Sequence, residues 1–103
     1  MRDLLLDPQT CRVTFREQSV VLTRIEFRLL EQLLSTNKGV LGRQDLLSRV
    51  WGPRVSVEIR TVDSHMVRLR RKLQRLGDQG LTIETVWGVG YRINVIDDSS
   101  FPS

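Results

Sequence analysis

The sequence predicts an α+β fold: short N-terminal strands, then three helices, then a closing β-hairpin. Three observations predict it. Residues 1–22 hold brief β-rich runs separated by turn residues. Three amphipathic stretches with helix start or stop signals follow over residues 23–77. The last unit, "LTIETVWGVGYRINV", places β-branched residues on both sides of a glycine-containing turn.

In chain order, "DLLLD", "RVTF" and "SVVL" read as strands, with "DPQT" and "REQ" as turns. Thr23 and Glu26 have the S/T-x-x-E spacing of a capping box, flanked by Leu22 and Phe27 at the positions of a hydrophobic staple. The first helix then runs through "RIEFRLLEQLLST", with Phe27, Leu30 and Leu34 on one stripe and Leu29 and Leu33 beside it. Asn37 to Gly39 are expected to end it. The second helix is expected over about residues 43–51, closed by Gly52 and Pro53. The third is expected over 58–76, with Gly77 as a left-handed cap. The hairpin occupies 81–95.

A chain of 103 residues is one domain, long enough to bury roughly two-thirds of its unfolded surface without staples. Residues 1–96 are assigned to that domain and 97–103, "DDSSFPS", to a disordered tail. One cysteine, Cys11, excludes an internal disulfide and fits a reducing compartment such as the cytoplasm. No apolar run approaches the ~20 residues of a membrane span, and no signal peptide is visible. A pI near 10 points to an acidic partner, nucleic acid first.

The charge is unevenly placed. Residues 60–77, "RTVDSHMVRLRRKLQRLG", carry six of the sixteen Lys and Arg residues against one acid, a local charge of +5 in a chain of +4. At 100° per residue, Val62, Met66, Leu69, Leu73 and Leu76 fall in a band about 80° wide, the core-facing stripe. Thr61, Ser64, His65, Arg68, Lys72 and Arg75 fall in a second band, flanked by Arg60 and Arg71. A basic helix face is often merely solvated. Here no Glu supports the cations at i,i+4, so they repel one another and their counter-charge is expected from outside. A helix of this diameter fits the DNA major groove, where Arg bonds guanine bidentately.

The stretches "LLEQLLSTNKGVLGRQDLLSRVWG", "RTVDSHMVRLRRKL" and "IETVWGVGYRI", in this order, resemble the C-terminal effector domain of OmpR/PhoB-type response regulators of two-component systems. The resemblance spans residues 3–96. It implies a winged helix-turn-helix that binds double-stranded DNA for transcriptional regulation. The third helix would enter the major groove, and the hairpin would be a wing near the minor groove. Carried over residue by residue, Arg68, with Ser64 and Arg71, would read bases. Trp51, Arg60, Thr61, His65, Arg70, Lys72 and Thr85 would hold phosphates. The loop Gly52, Pro53, Arg54, Val55, Ser56, Val57 would be a transactivation loop that meets RNA polymerase. Two copies would pair on tandem sites.

The chain departs from that pattern in places. Ile59 stands where an acid precedes "RTVD", which removes a capping side chain from the third helix. Val67 stands where an Arg is frequent. The wing reads "TVWG" where many members read "TVRG", and Trp87 is expected to pack on its own hairpin in preference to intercalating. Arg92 is expected to be structural rather than a substitute reader. Nothing in the sequence matches a receiver domain, so an excised effector domain, favoured by the opening "MRDLLLDP", and a stand-alone protein both fit.

Enzyme chemistry, a metal site and a cofactor are not expected. His65 is the only histidine, and Asp63 and Ser64, its chain neighbours, do not face it in triad geometry. Cys11 reads as an unreactive strand residue, and "GVGYRI" lacks the third glycine of a dinucleotide fingerprint. Neither a membrane surface nor a small-molecule substrate is expected as a partner. The alternative to DNA binding is a protein-interaction module that uses the basic helix and the 52–57 loop.

Overall fold

The computed structural model describes residues 4–36, 39–77 and 81–95. Three strands, β1 (Leu4–Asp7), β2 (Arg12–Phe15) and β3 (Gln18–Val21), form an antiparallel sheet in the order β1-β2-β3. Alternation along β2 and β3 turns Val13, Phe15 and Val20 inward to the core. The tight links are made at Cys11 and Arg16, both at positive φ (58° and 57°). Cys11 therefore lies in the turn before β2 rather than in a strand, although its side chain is buried.

Helix α1 (Arg24–Ser35) starts as its local sequence requires. The Thr23 hydroxyl accepts from the Glu26 N–H at 3.1 Å, and the Thr23 N–H donates to Glu26 Oε1 at 2.9 Å. Leu22 and Phe27, the staple pair, are both buried. Thr36 is the C-cap residue, and its hydroxyl donates to the Leu33 carbonyl at 2.8 Å. Of the expected stop, Asn37 to Gly39, residues 37 and 38 lie outside the described residues, and the Gly39 N–H donates back to the Thr36 carbonyl at 3.1 Å.

A two-residue strand, β4 (Leu41–Gly42), runs into helix α2 (Arg43–Val50). Helix α3 is Arg60–Leu73, continued by a 3₁₀ turn, Gln74–Leu76. It begins two residues later than the periodicity predicts. Ile59 offers no side-chain cap there, and residues 58 and 59 instead form turns in which the Thr61 and Val62 N–H groups donate to their carbonyls. Gly77 has φ 110° and ψ 145°, a positive φ but not the left-handed helical cap. The stripe Val62, Met66, Leu69, Leu73 and Leu76 is no more than 3% exposed throughout, which fixes the roll of α3 on the core.

Strands β5 (Leu81–Val86) and β6 (Gly90–Val95) form the hairpin, and β4 pairs on the other side of β6, giving the order β4-β6-β5. Two residues are too short for a periodicity signal, so β4 is not visible in the sequence. Its cause is visible afterwards. A Cβ on Gly90 would sit 2.0 Å from the Leu41 carbonyl oxygen, so only glycine lets these backbones meet. Three helices and antiparallel sheets thus make the predicted α+β class. Among the described residues no helix is long and apolar enough to cross a membrane.

Candidate nucleic-acid interface

The face of α3 opposite the core carries Ser64, Arg68 and Arg71, with Arg75 continuing the line into the 3₁₀ turn. Their spacing of four, three and four residues keeps all four side chains within about 60° of one another around the axis. All four are exposed. Arg68, Arg71 and Arg75 make no ion pair or side-chain hydrogen bond among the described residues. Val67, 49% exposed, borders the strip. Arg60 begins the helix and pairs with Glu58 at 2.6 Å, both side chains largely in water, where such a pair is worth little.

The other cations of α3 are held from within the protein. Lys72 Nζ donates to Glu26 Oε1 at 2.7 Å, reaching a carboxylate that is almost wholly enclosed. Burial alone would raise the Glu26 carboxyl. The Lys72 ammonium and the Thr23 N–H outweigh it and hold Glu26 below the usual carboxylate range. Arg70 Nη2 donates to Thr85 Oγ1 at 2.7 Å, which ties α3 to the stem of the hairpin. Two of the residues assigned to phosphates, Arg70 and Thr85, are therefore bonded to each other, and a third, Lys72, is bonded to Glu26.

Asp63 joins three elements. It accepts a two-pronged bond from Arg43 at the start of α2 and a hydrogen bond from the Tyr91 hydroxyl at 2.6 Å. Burial, and then the bond to Asp63, push the Tyr91 phenol up to about 12. Sequence reasoning missed Arg43 and Tyr91 as positioning groups because 20 and 28 residues separate them from Asp63. Both lie inside the quoted motifs, and a motif aspartate that faces the core side of a basic helix is the signal that points to them.

The Trp51 and His65 rings meet edge to face, with centroids 5.4 Å apart. This contact brings the end of α2 against the first half of α3. Burial first, and the Arg68 charge second, hold the His65 imidazole below its usual pKa, with Glu26 acting the other way. Thr61 is half-buried one turn before His65. Between α2 and α3, residues 53–56 are exposed, and Val55 and Ile59 leave apolar surface in water. Gly52 takes φ 106° there and donates to the Ser48 carbonyl at 3.0 Å.

Beside α3 the hairpin bounds a cleft of about 380 Å³, lined by Arg43, Asp63, Arg70, Thr85 and residues 86–91. Arg92 donates to Glu84 at 2.7 Å and so belongs to the strand pair. Trp87 does not pack on the hairpin as the sequence suggested. It is 88% exposed. The turn at Gly88 (φ 78°) swings it past the last pair, Val86 with Gly90, where no strand residue lies beneath it.

Comparison with known proteins agrees with this geometry. The family model "Transcriptional regulatory protein, C terminal" matches residues 17–93. The transcriptional regulatory protein SrrA of Staphylococcus aureus is 41% identical over 95 residues, covering 91% of this chain. The chain spans 39% of that relative's length. The DNA-binding domain of E. coli CadC superposes with a TM-score of 0.79 at 25% identity, over 91% of this chain and 88% of that one. The DNA-binding domain of the response regulator AdeR, solved in complex with an intercistronic region, gives 0.74 at 29% identity, over 93% and 97%. With its three helices, its antiparallel sheets and its hairpin wing, this chain belongs to the OmpR/PhoB-type family of transcriptional regulator C-terminal domains.

Proposed function

We propose that this chain binds double-stranded DNA sequence-specifically for transcriptional regulation, with α3 in the major groove and the wing near the minor groove. One observation carries the reading. Ser64, Arg68, Arg71 and Arg75 form an exposed strip whose three arginines have no ion pair or side-chain hydrogen bond among the described residues, while the opposite stripe of the same helix is wholly buried. A helix of 14 residues presents about 21 Å of such a strip to a groove about 12 Å wide. Arg68 reads a base, with Ser64 and Arg71 beside it. Arg60, Thr61, Trp51 and His65 meet phosphates, which position the domain without carrying sequence information. Arg70, Lys72 and Thr85, already engaged, act on phosphates more weakly than Arg60 does.

Residues 1–96 are the functional unit, and the cytoplasm is its compartment. The loop 52–57, exposed at residues 53–56 and with Val55 partly in water, is suited to meeting RNA polymerase. Two copies pair on tandem sites about one helical turn apart. The test is competition in a gel shift between a duplex selected in vitro by the chain and its shuffled counterpart at physiological salt. A clear preference that Arg68→Ala relaxes supports the reading. Equal binding of both duplexes points instead to a protein-interaction module.

A further inference from the structure

The wing is rigid at its stem and bare at its tip. Strand β6 is paired on both sides, by β5 and by β4. The stem is fastened to α3 by Arg70 to Thr85 and by Tyr91 to Asp63. Glu84 further braces Arg92 and Asn94. Beyond these ties the chain reverses through Trp87, Gly88 and Val89, closed by the Val89 N–H donating to the Val86 carbonyl at 2.9 Å. Turn chemistry calls for the glycine at φ 78°. It does not call for the largest side chain at the position before it, nor for leaving Trp87 88% and Val89 56% exposed.

The composition of the tip restricts what it can meet. Residues 86–90, "VWGVG", carry no charge, so the tip forms no ion pair with phosphates, and what its exposed side chains mainly offer is apolar surface. The cations nearest in the cleft, Arg43 and Arg70, are held by Asp63 and Thr85. A hairpin bolted to the flank of a helix seated in the major groove overhangs the adjoining backbone and minor groove. An uncharged aromatic arriving there finds sugar edges and base faces. Apolar side chains in the minor groove act as wedges that partly unstack a base step, and pyrimidine–purine steps yield most easily.

We propose that Trp87, supported by Val89, is an apolar wedge that enters the minor groove beside the α3 site and selects a deformable step, TA or CA, at that flank. This rests on the DNA-binding reading above. The wedge makes the wing's contribution independent of salt, because it releases no counterions. It also makes the flanking preference one of deformability rather than of hydrogen bonding. A stiff A-tract at that position is disfavoured, although its narrow groove attracts an arginine.

The experiment uses the whole chain and a duplex it selects from a random pool, with 2-aminopurine placed in turn at the flanking steps. Trp87→Ala is expected to weaken binding about tenfold, as loss of one stacking aromatic does, with an unchanged salt slope and an unchanged thermal midpoint. Trp87→Phe retains most of the affinity. The wild type and Trp87→Phe brighten 2-aminopurine at one flanking pyrimidine–purine step, and Trp87→Ala does not. Trp87→Arg steepens the salt slope by about one unit and moves the flank preference to A-tracts. If Trp87→Ala binds and brightens the probe like the wild type while Arg68→Ala still abolishes preference, the wedge is refuted and the DNA reading stands. If Trp87→Ala loses only cooperativity on a two-site duplex, the tip meets a second copy and the wedge is again refuted. If selection yields no preferred duplex, both readings fall together.

Discussion

Two sets of cations share helix α3 and differ in what holds them. Arg70 and Lys72 lean to the sides of the helix and end on Thr85 and Glu26, groups brought from the hairpin and from α1. Arg68, Arg71 and Arg75 lie on the outer line and end in water. From the sequence all of them look alike, as unmatched and mutually repelling charge. The folded protein gives one set internal acceptors, a carboxylate for Lys72 and a neutral hydroxyl for Arg70, and leaves the other set without any among the described residues. The difference teaches that a count of basic residues overstates an interface, and that the cations left without a partner mark it.

The two sets should respond oppositely to truncation. Lys72→Ala leaves the enclosed Glu26 carboxylate without its counter-ion, and a loss of about 3 kcal/mol in unfolding free energy is expected, read by urea denaturation. Arg68→Ala, by contrast, should move stability by no more than about 0.5 kcal/mol while costing roughly 1–3 kcal/mol of affinity at the preferred duplex. A reversed result, with Arg68→Ala unfolding the domain and Lys72→Ala only weakening DNA binding, breaks the comparison. Tyr91→Phe removes one of the bonds on Asp63 and leaves Arg43 in place, so a loss of about 1 kcal/mol is expected. Arg60→Ala, which removes a phosphate contact, should flatten the dependence of log affinity on log salt by about one unit, whereas Lys72→Ala should leave that slope nearly unchanged.

Acid sharpens the same contrast. The folded-state pKa of Glu26 lies below its ordinary value of 4.5. The unfolded chain therefore binds the proton first, and the stability from this group is full above 4.5 and drains as pH falls through the folded value. Without Lys72 the Glu26 carboxyl titrates higher, so Lys72→Ala should begin acid unfolding at a higher pH than Arg68→Ala does. His65 has the same sign, since its folded pKa lies below 6.5: neutral imidazole favours the fold, and stability declines as pH drops through that interval. A phosphate beside His65 reverses the bias on binding. Affinity for the duplex should then rise modestly as pH falls below 6.5, and NMR titration of the single histidine, free and bound, reads both effects.

What the sequence made legible was what repeats locally. The α3 stripe follows from a 3.6-residue period, and every member of it is buried. The Thr23–Glu26 capping box spans one turn, and both of its bonds form. What stayed hidden joins distant positions. Lys72 meets Glu26 across 46 residues, and Tyr91 meets Asp63 across 28. Glu26 is the sharper case, because its local role in the capping box gave no sign of a second, long-range one. Strand β4 was hidden because a two-residue strand has no period, and the end of α3 was overrun because a 3₁₀ turn continues the apolar pattern. Trp87 was misjudged for a different reason. A large aromatic in a hairpin normally finds a neighbour, but this one stands on the turn itself, past the last cross-strand pair.

The most direct measurement of the central claim is protection of guanine N7, which lines the major groove, from methylation along the selected duplex. With the wild-type chain the account predicts at least one strongly protected guanine, whose protection disappears with Arg68→Ala and persists with Lys72→Ala. Protection that survives Arg68→Ala intact, or a footprint confined to minor-groove positions, would contradict it.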